Sequence, residues 1–183
     1  MSEHVYVSVG SNLGDRLAAL RAAVRALREL SGVRLVAASP VYETEPWESE
    51  PGQLAHERPW YLNCVIEFDT ELPASDLLGR LQDIELRLGR TRTPGTPEEG
   101  RFAARTVDID ILFYGRRIIS VPDELHVPHL LAHERAFVLR PLADLAPELE
   151  HPTLYRTIRE LLDDLADDHE VRCVAGSPRW FEN

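Results

Sequence analysis

The sequence has little positive charge. Its 183 residues include 31 aspartates and glutamates against 20 lysines and arginines, which gives a formal net charge of −11 at pH 7. Nucleic acids and acidic membrane surfaces bind proteins that present a basic surface, so this balance argues against both partners. It does not exclude an anionic small molecule, because a site can be locally basic in a protein that is acidic overall.

Cysteines and long apolar runs are also scarce. Cys64 and Cys173 each lie in an apolar stretch without a CxxC motif, which predicts buried free thiols in a reducing compartment. The sequence contains no apolar run of about 18 residues. Its first residues, MSEHVYVSVG, lack the basic and apolar segments of a secretory signal. These absences predict a cytoplasmic protein without a membrane segment.

The loop GSNLGD follows a first alternating strand, and its two glycines suggest a phosphate-binding loop. It lacks the lysine and the serine or threonine that a P-loop places after its second glycine. We therefore predict a tight turn in which Asp15 caps a helix with Leu20, Val24 and Leu27 on its apolar face.

The periodicity of the chain predicts two β-α-β units. Alternating apolar residues indicate four strands, over residues 5–9, 33–42, 62–68 and 105–113. Ser75 is placed to cap a helix whose apolar face reaches Leu88, a short hairpin partner is expected near Ile118 and Ile119, and TIRELLDDLADD predicts a terminal helix. This order predicts one domain over residues 1–183, an α+β ferredoxin-like split βαβ sandwich with an antiparallel sheet and helices on both faces.

The segment RTVDIDILFYG carries two aspartates, Asp108 and Asp110, on one face of a predicted strand. The apolar residues that alternate with them and point to the other face are Val107, Ile109, Ile111 and Phe113. Side chains two apart on a strand lie roughly 6–7 Å from each other at Cα, so two carboxylates there repel. A shared proton or a cation between them would relieve the repulsion.

Arginines crowd the segment before these aspartates. Four of them lie between residues 90 and 105, opposed only by Glu98 and Glu99: Arg90, Arg92, Arg101 and Arg105. A carboxylate pair that holds Mg²⁺ beside several guanidinium groups suits a polyphosphate. A structural Arg–Asp network beside a solvated loop is the alternative that these residues alone leave open.

Four further side chains are candidates for a ligand site. Tyr61 and Phe137 could sandwich a flat heterocycle, although lone aromatic residues are more often part of a core. Asn63 offers a donor and an acceptor to a ring edge, or it simply caps a strand end. His129 follows Pro128 at an expected helix start, where it could donate to a phosphate.

At this level of detail the sequence resembles the 6-hydroxymethyl-7,8-dihydropterin pyrophosphokinase family. The resemblance runs through YVSVGSNLGD, SPVYETEP, YLN, IELRLGRTR, RFAARTVDIDIL, VPH and ERAFVLRPL, nearly all of residues 4–150. The RxAARxxDIDIL segment is highly specific to that family. The family transfers an intact diphosphate from ATP to the pterin hydroxymethyl oxygen, releases AMP and uses two Mg²⁺ ions.

The resemblance implies roles for residues of this chain. Catalytic roles fall on Arg90, Arg105, Asp108 and Asp110, and the two aspartates would be the metal ligands. ATP contacts fall on Glu85, Arg92, Arg101, Ile111, His129 and Arg135. Pterin contacts fall on Thr44, Pro46, Tyr61, Asn63 and Phe137. We expect a monomer that acts on small molecules without a nucleic-acid or membrane partner.

The sequence departs from the family pattern in places. Ala103-Ala104 replaces a frequent Gly-Pro, Phe102 replaces a tryptophan, and Leu130 replaces an aromatic residue after His129. Two other functions use the same residues: a metal-dependent phosphohydrolase in which water replaces the pterin, and a non-catalytic ferredoxin-like ligand-binding module.

Overall fold

Six strands form one antiparallel sheet. The computed structural model describes residues 2–46, 59–89, 106–177 and 179–182. The strands are β1 (Glu3–Ser11), β2 (Val33–Ala38), β3 (Val41–Thr44), β4 (Tyr61–Thr70), β5 (Asp108–Tyr114), β6 (Ile119–Val121), β7 (Leu125–Val127) and β8 (Val171–Ala175). The large sheet has the order β5-β1-β4-β3-β8, β2 also pairs with β4, and β6 and β7 form a separate hairpin.

Helices cover both faces of this sheet, as the sequence predicts. They are α1 (Arg16–Arg28), α2 (Ala74–Arg87), α3 (Ala136–Leu145) and α4 (Ile158–Asp163), with a 3-10 turn at Ala132–Glu134. One apolar core lies under α1 and α2, and a second lies under α3 and α4. The predicted α+β architecture with an antiparallel sheet is therefore confirmed.

The helix starts test the predicted caps. Asp15 caps α1, and its carboxylate accepts a hydrogen bond from the Ala18 amide at 3.0 Å. Ser75 lies inside α2, whose N-cap is Pro73 without a side-chain hydrogen bond. The predicted Ser75 cap is wrong because the N-cap lies two residues earlier, at Pro73, and the helix begins at Ala74.

The strand predicted over 33–42 is divided in two by Ser39 and Pro40. Proline has no amide hydrogen to donate to the β4 ladder. Ser39 takes over the pairing: its amide donates to the Val65 carbonyl and its hydroxyl accepts from the Val65 amide, both at 2.9 Å. The Ser39 carbonyl in turn accepts from the Trp180 indole at 2.8 Å.

A β-bulge in β5 reverses one prediction. The pairing with β1 shifts between Tyr6 and Val7, whose partners are Phe113 and Ile111, so Leu112 is the extra residue. Phe113 therefore packs in the core under α3 and α4, whereas Ile111 packs in the core under α1 and α2. The expectation that both point to one face is wrong.

Three other expectations also fail. Ile119 pairs with Val127 in the β6–β7 hairpin rather than with β5. The predicted terminal helix ends at Asp163 and is followed by β8, which pairs with β3. Cys64 is buried as predicted, but Cys173, on β8, is exposed.

In the residues that the structure describes, no helix has the length and apolar character needed to cross a membrane.

His4 joins two carboxylates of β4. Its Nδ1 lies 2.7 Å from Asp69 Oδ1 and its Nε2 lies 2.6 Å from Glu67 Oε1. Burial opposes protonation, but the hydrogen bonds to Asp69 and Glu67 outweigh it and raise the pKa of His4 above 6.5. The protonated ring can donate to both carboxylates at once.

We therefore expect His4 to make stability depend on pH. Because its pKa is raised on folding, its contribution is complete below the unfolded value of 6.5 and is lost as pH rises through the folded pKa. The melting temperature of His4→Gln should fall furthest below wild type in mild acid, with the difference shrinking in alkali. His126→Gln, which removes a histidine bonded to Ser120, is the control. A difference that does not vary with pH would contradict this assignment.

Candidate active site

Asp108 and Asp110 occupy the edge strand of the large sheet. They pair with Gly10 and Ser8 of β1, and both are partly exposed. The alternating residue Ile109 belongs to the core under α1 and α2, so the two carboxylates point to the face that carries α3 and α4. The predicted placement of both aspartates on one face is what the strand shows.

Glu85 forms a hydrogen bond with the backbone of β5. It lies on α2 with only 2% of its surface exposed, and its Oε1 accepts a hydrogen bond from the Ile109 amide at 2.7 Å. A buried carboxylate is costly unless it is hydrogen-bonded. Glu85 thus fixes the backbone between the two aspartates. The Ile111 side chain is buried in the core, so any contact that Ile111 makes with a nucleotide must come from its backbone.

Asn63 and Thr44 form a buried polar pair on the neighbouring strands. Asn63 Nδ2 donates to Thr44 Oγ1 at 2.7 Å, and both side chains are buried. Gly10 lies opposite Asn63 and leaves it room, since a Cβ atom on Gly10 would lie 2.6 Å from Asn63 Oδ1. No pattern in the sequence marks Gly10, because this contact depends on the register between β1 and β4.

His129 is held neutral beside the carboxylates. Burial first, and then the positive charge of Arg135, lower the pKa of His129 to about 4, against a smaller opposing effect of Asp108. Its Nδ1 accepts a hydrogen bond from the Leu131 amide at 3.3 Å, so the ring proton is on Nε2. The expected helix start at His129 is wrong: the residue lies in a turn before the 3-10 segment, and the α-helix begins at Ala136.

The start of α3 carries two further candidates. Arg135 is the N-cap residue, and its guanidinium carbon lies 5.5 Å from the centre of the Phe137 ring. Phe137 is partly buried against the α3 and α4 core. Tyr61 begins β4 and pairs with Thr44, and Pro46 is buried just beyond β3.

These contacts join most of the predicted site residues. Asp108 pairs with Gly10 of β1, which in turn lies opposite Asn63, the hydrogen-bond partner of Thr44. The charges of Asp108 and Arg135 both act on the pKa of His129. Four predicted residues lie outside the described part of the chain: Arg90, Arg92, Arg101 and Arg105. Carboxylates, a neutral imidazole donor and a guanidinium group around one strand end could bind a metal–polyphosphate complex.

Comparison with known proteins identifies the class. The model of the 7,8-dihydro-6-hydroxymethylpterin-pyrophosphokinase (HPPK) family matches residues 6–147. The chain is 42% identical over 152 residues to the 2-amino-4-hydroxy-6-hydroxymethyldihydropteridine pyrophosphokinase of Pseudomonas aeruginosa, covering 83% of this chain and 86% of that protein. It is 36% identical over 167 residues to the protein of the same name from Haemophilus influenzae, covering 91% and 96%.

A solved structure supports the fold. The crystal structure of a Plasmodium falciparum HPPK-DHPS triple mutant matches with a TM-score of 0.63 and 18% identity over 89% of this chain. This chain spans only 43% of that longer chain. At this identity the likeness shows the fold alone.

The matched relatives define a diphosphotransferase. The chain belongs to the 7,8-dihydro-6-hydroxymethylpterin-pyrophosphokinase family. It is a pyrophosphokinase of folate biosynthesis, as the resemblance in the sequence implies.

The close approach of Gly10 to Asn63 generates a prediction. In Gly10→Ala the new methyl group would lie 2.6 Å from Asn63 Oδ1, and the buried bond to Thr44 restrains the amide from moving away. Overpacking of this kind costs about 1–3 kcal/mol. We expect a lower melting temperature and a raised KM for the pterin substrate, measured by thermal unfolding and steady-state kinetics.

Gly79→Ala is the matched control. Gly79 lies on the exposed side of α2, and a Cβ there meets no atom within 4 Å. Alanine is the better helix former, so this variant should be at least as stable as wild type with unchanged kinetics. Equal behaviour of the two variants would show that Gly10 does not hold Asn63 in place.

Proposed function

We propose that the enzyme transfers the intact diphosphate of ATP to the hydroxymethyl oxygen of 6-hydroxymethyl-7,8-dihydropterin and releases AMP, with Asp108 and Asp110 holding two Mg²⁺ ions. The observation that carries this proposal is the carboxylate pair on β5, next to His129 and to the Asn63–Thr44 pair. Two carboxylates plus phosphate oxygens are a donor set that suits Mg²⁺. The bound metal would supply charge neutralisation on the polyphosphate.

His129 and Arg135 take different parts in binding the nucleotide. Because His129 is neutral with its proton on Nε2, it donates a hydrogen bond to a phosphate oxygen without adding charge. Arg135 adds the charge, and it lies close enough to His129 to lower the pKa of that imidazole. From the sequence we add Arg90, Arg92, Arg101 and Arg105 to this set, with Arg90 and Arg105 acting on the transferred group.

The buried amide of Asn63 and the hydroxyl of Thr44 would recognise the pterin edge. Asn63 donates to Thr44 Oγ1, which orients the Thr44 hydroxyl hydrogen away from Asn63 and toward a ligand acceptor. Tyr61 and Phe137 would stack on the two ring faces, beside Pro46. The pterin hydroxyl would then attack the β-phosphorus in line, and positioning rather than a covalent intermediate would supply most of the rate.

The proposal also covers the domain organisation, oligomeric state and location of the protein, and the roles of Glu85 and Ile111. Residues 1–183 would form a single catalytic domain that is monomeric and cytoplasmic. Glu85 would act through β5, by fixing the backbone between the metal ligands. Ile111 would contribute only backbone groups to the nucleotide.

An AMP assay tests the proposal. Incubation with ATP, Mg²⁺ and the hydroxymethyl-dihydropterin should release AMP only when the pterin is present. Asp108→Asn and Asp110→Asn should each lower kcat by at least about 100-fold without unfolding the protein, since each removes a charge that holds Mg²⁺. Phosphate release without pterin would support a hydrolase, and no turnover would support a binding module. Near-normal turnover in either variant would overturn the metal assignment.

The aromatic pair gives a second prediction. Tyr61→Ala and Phe137→Ala remove ring contacts that are equally strong in the ground state and the transition state, so they should raise the pterin KM with little change in kcat. A stacking loss of roughly 1 kcal/mol corresponds to about a fivefold increase. Tyr155→Ala, at an exposed tyrosine, is the control. If these variants weakened ATP binding and left pterin binding unchanged, the assignment of the aromatic pair to the pterin site would be wrong.

A further inference from the structure

The helix that carries Arg135 and Phe137 is capped from a distant part of the chain. Arg135, its N-cap residue, makes no side-chain capping hydrogen bond. The first helical amide, that of Ala136, instead donates to Asp167 Oδ2 at 2.7 Å, although Asp167 follows 31 residues later. A carboxylate at this point also interacts favourably with the positive end of the helix.

The Asp167 carboxylate is itself firmly held. Only 2% of its side chain is exposed, and its second oxygen accepts from the His169 amide at 3.0 Å and contacts His169 Nδ1 at 2.5 Å. Its two oxygens thus bind two different segments, the start of α3 and the chain that leads into β8. A buried acceptor with these partners has one geometry rather than several.

The residues after Asp167 continue directly onto the other side of the proposed pterin site. The Glu170 carbonyl accepts from the Glu45 amide at 3.1 Å, and the Glu170 amide donates to Glu45 Oε2 at 2.8 Å. Strand β8 then pairs with β3 along its whole length, including Thr44. Residues 167–175 therefore contact both the strand that carries Thr44 and the helix that carries Phe137.

We propose that Asp167 is a positioning residue for substrate binding, which sets the start of α3 relative to β3 and thereby places Phe137 and Arg135. This inference rests on the proposed function for the ligand that it affects. Asp167 lies beyond residue 147, where the match to the family model ends. The fold of this chain therefore uses a segment outside the matched region to complete the pterin-binding end of the site.

A graded set of variants tests the inference. Asp167→Ala removes the acceptor, and we expect the pterin KM to rise roughly five- to tenfold while kcat at saturation changes less than about twofold. Asp167→Asn keeps one acceptor but loses the charge, so its KM should rise only about two- to threefold. Asp168→Ala, at the exposed neighbouring residue, should match wild type. Amide hydrogen exchange should quicken at Ala136 in Asp167→Ala and not throughout the protein.

The outcomes separate the two proposals. A wild-type pterin KM and wild-type exchange at Ala136 in Asp167→Ala would overturn the positioning role. If that variant fails to fold, Asp167→Asn decides: a raised pterin KM with normal kcat supports the role, and wild-type kinetics overturn it. If wild-type protein forms no AMP with the pterin, the proposed function fails alone, and exchange at Ala136 still tests whether Asp167 holds the helix start.

Discussion

The repulsion between Asp108 and Asp110 is the constraint on which the rest of the site depends. Two unit charges roughly 6–7 Å apart, in a medium of effective dielectric constant about 20, repel by about 2–3 kcal/mol. The β1 residues that pair with them, Gly10 and Ser8, carry no charge. Glu85 adds a third carboxylate behind the strand and bonds to the backbone between them. A cation between the two carboxylates would offset their repulsion.

The two apolar cores stabilise the strands that carry the polar residues of the site. The apolar residues of β1 and β4 alternate between a core under α1 and α2 and a core under α3 and α4, so both central strands are held on two sides. The buried polar pair Asn63 and Thr44 lies where β4 meets β3, and Gly10 lies opposite Asn63 on β1. The buried apolar residues fix the register of the strands, and the hydrogen bond between Asn63 and Thr44 then orients the polar side chains.

The same physics decides which features could be predicted from the sequence. Strands β1 and β4 and helices α1 and α2 each bury one apolar set, so alternation and helical spacing predict them well. The sequence does not predict strand β8, because its side chains are mostly exposed and leave no alternation to detect. The alternation in the sequence places Phe113 on the wrong face because one inserted residue, Leu112, reverses the pattern after it.

Site residues divide in a similar way. The aspartate pair is visible in the sequence because a strand puts residues two apart on one face, and the two carboxylates need nothing else to be recognised. Gly10 and Asp167 act through partners 53 and 31 residues away, Asn63 and Ala136. Contacts of this kind depend on the register of one pair of strands and on the docking of one helix. Local composition carries no trace of either.

Charge links the site to the composition of the whole chain. A protein with a net charge of −11 must bind a polyphosphate against its own average field, so local cations have to outweigh it. His129 contributes none, because its pKa lies at about 4 in its buried position beside Arg135. Protonating it would bring a second positive charge next to Arg135. Keeping the imidazole neutral therefore avoids a like-charge pair between His129 and Arg135.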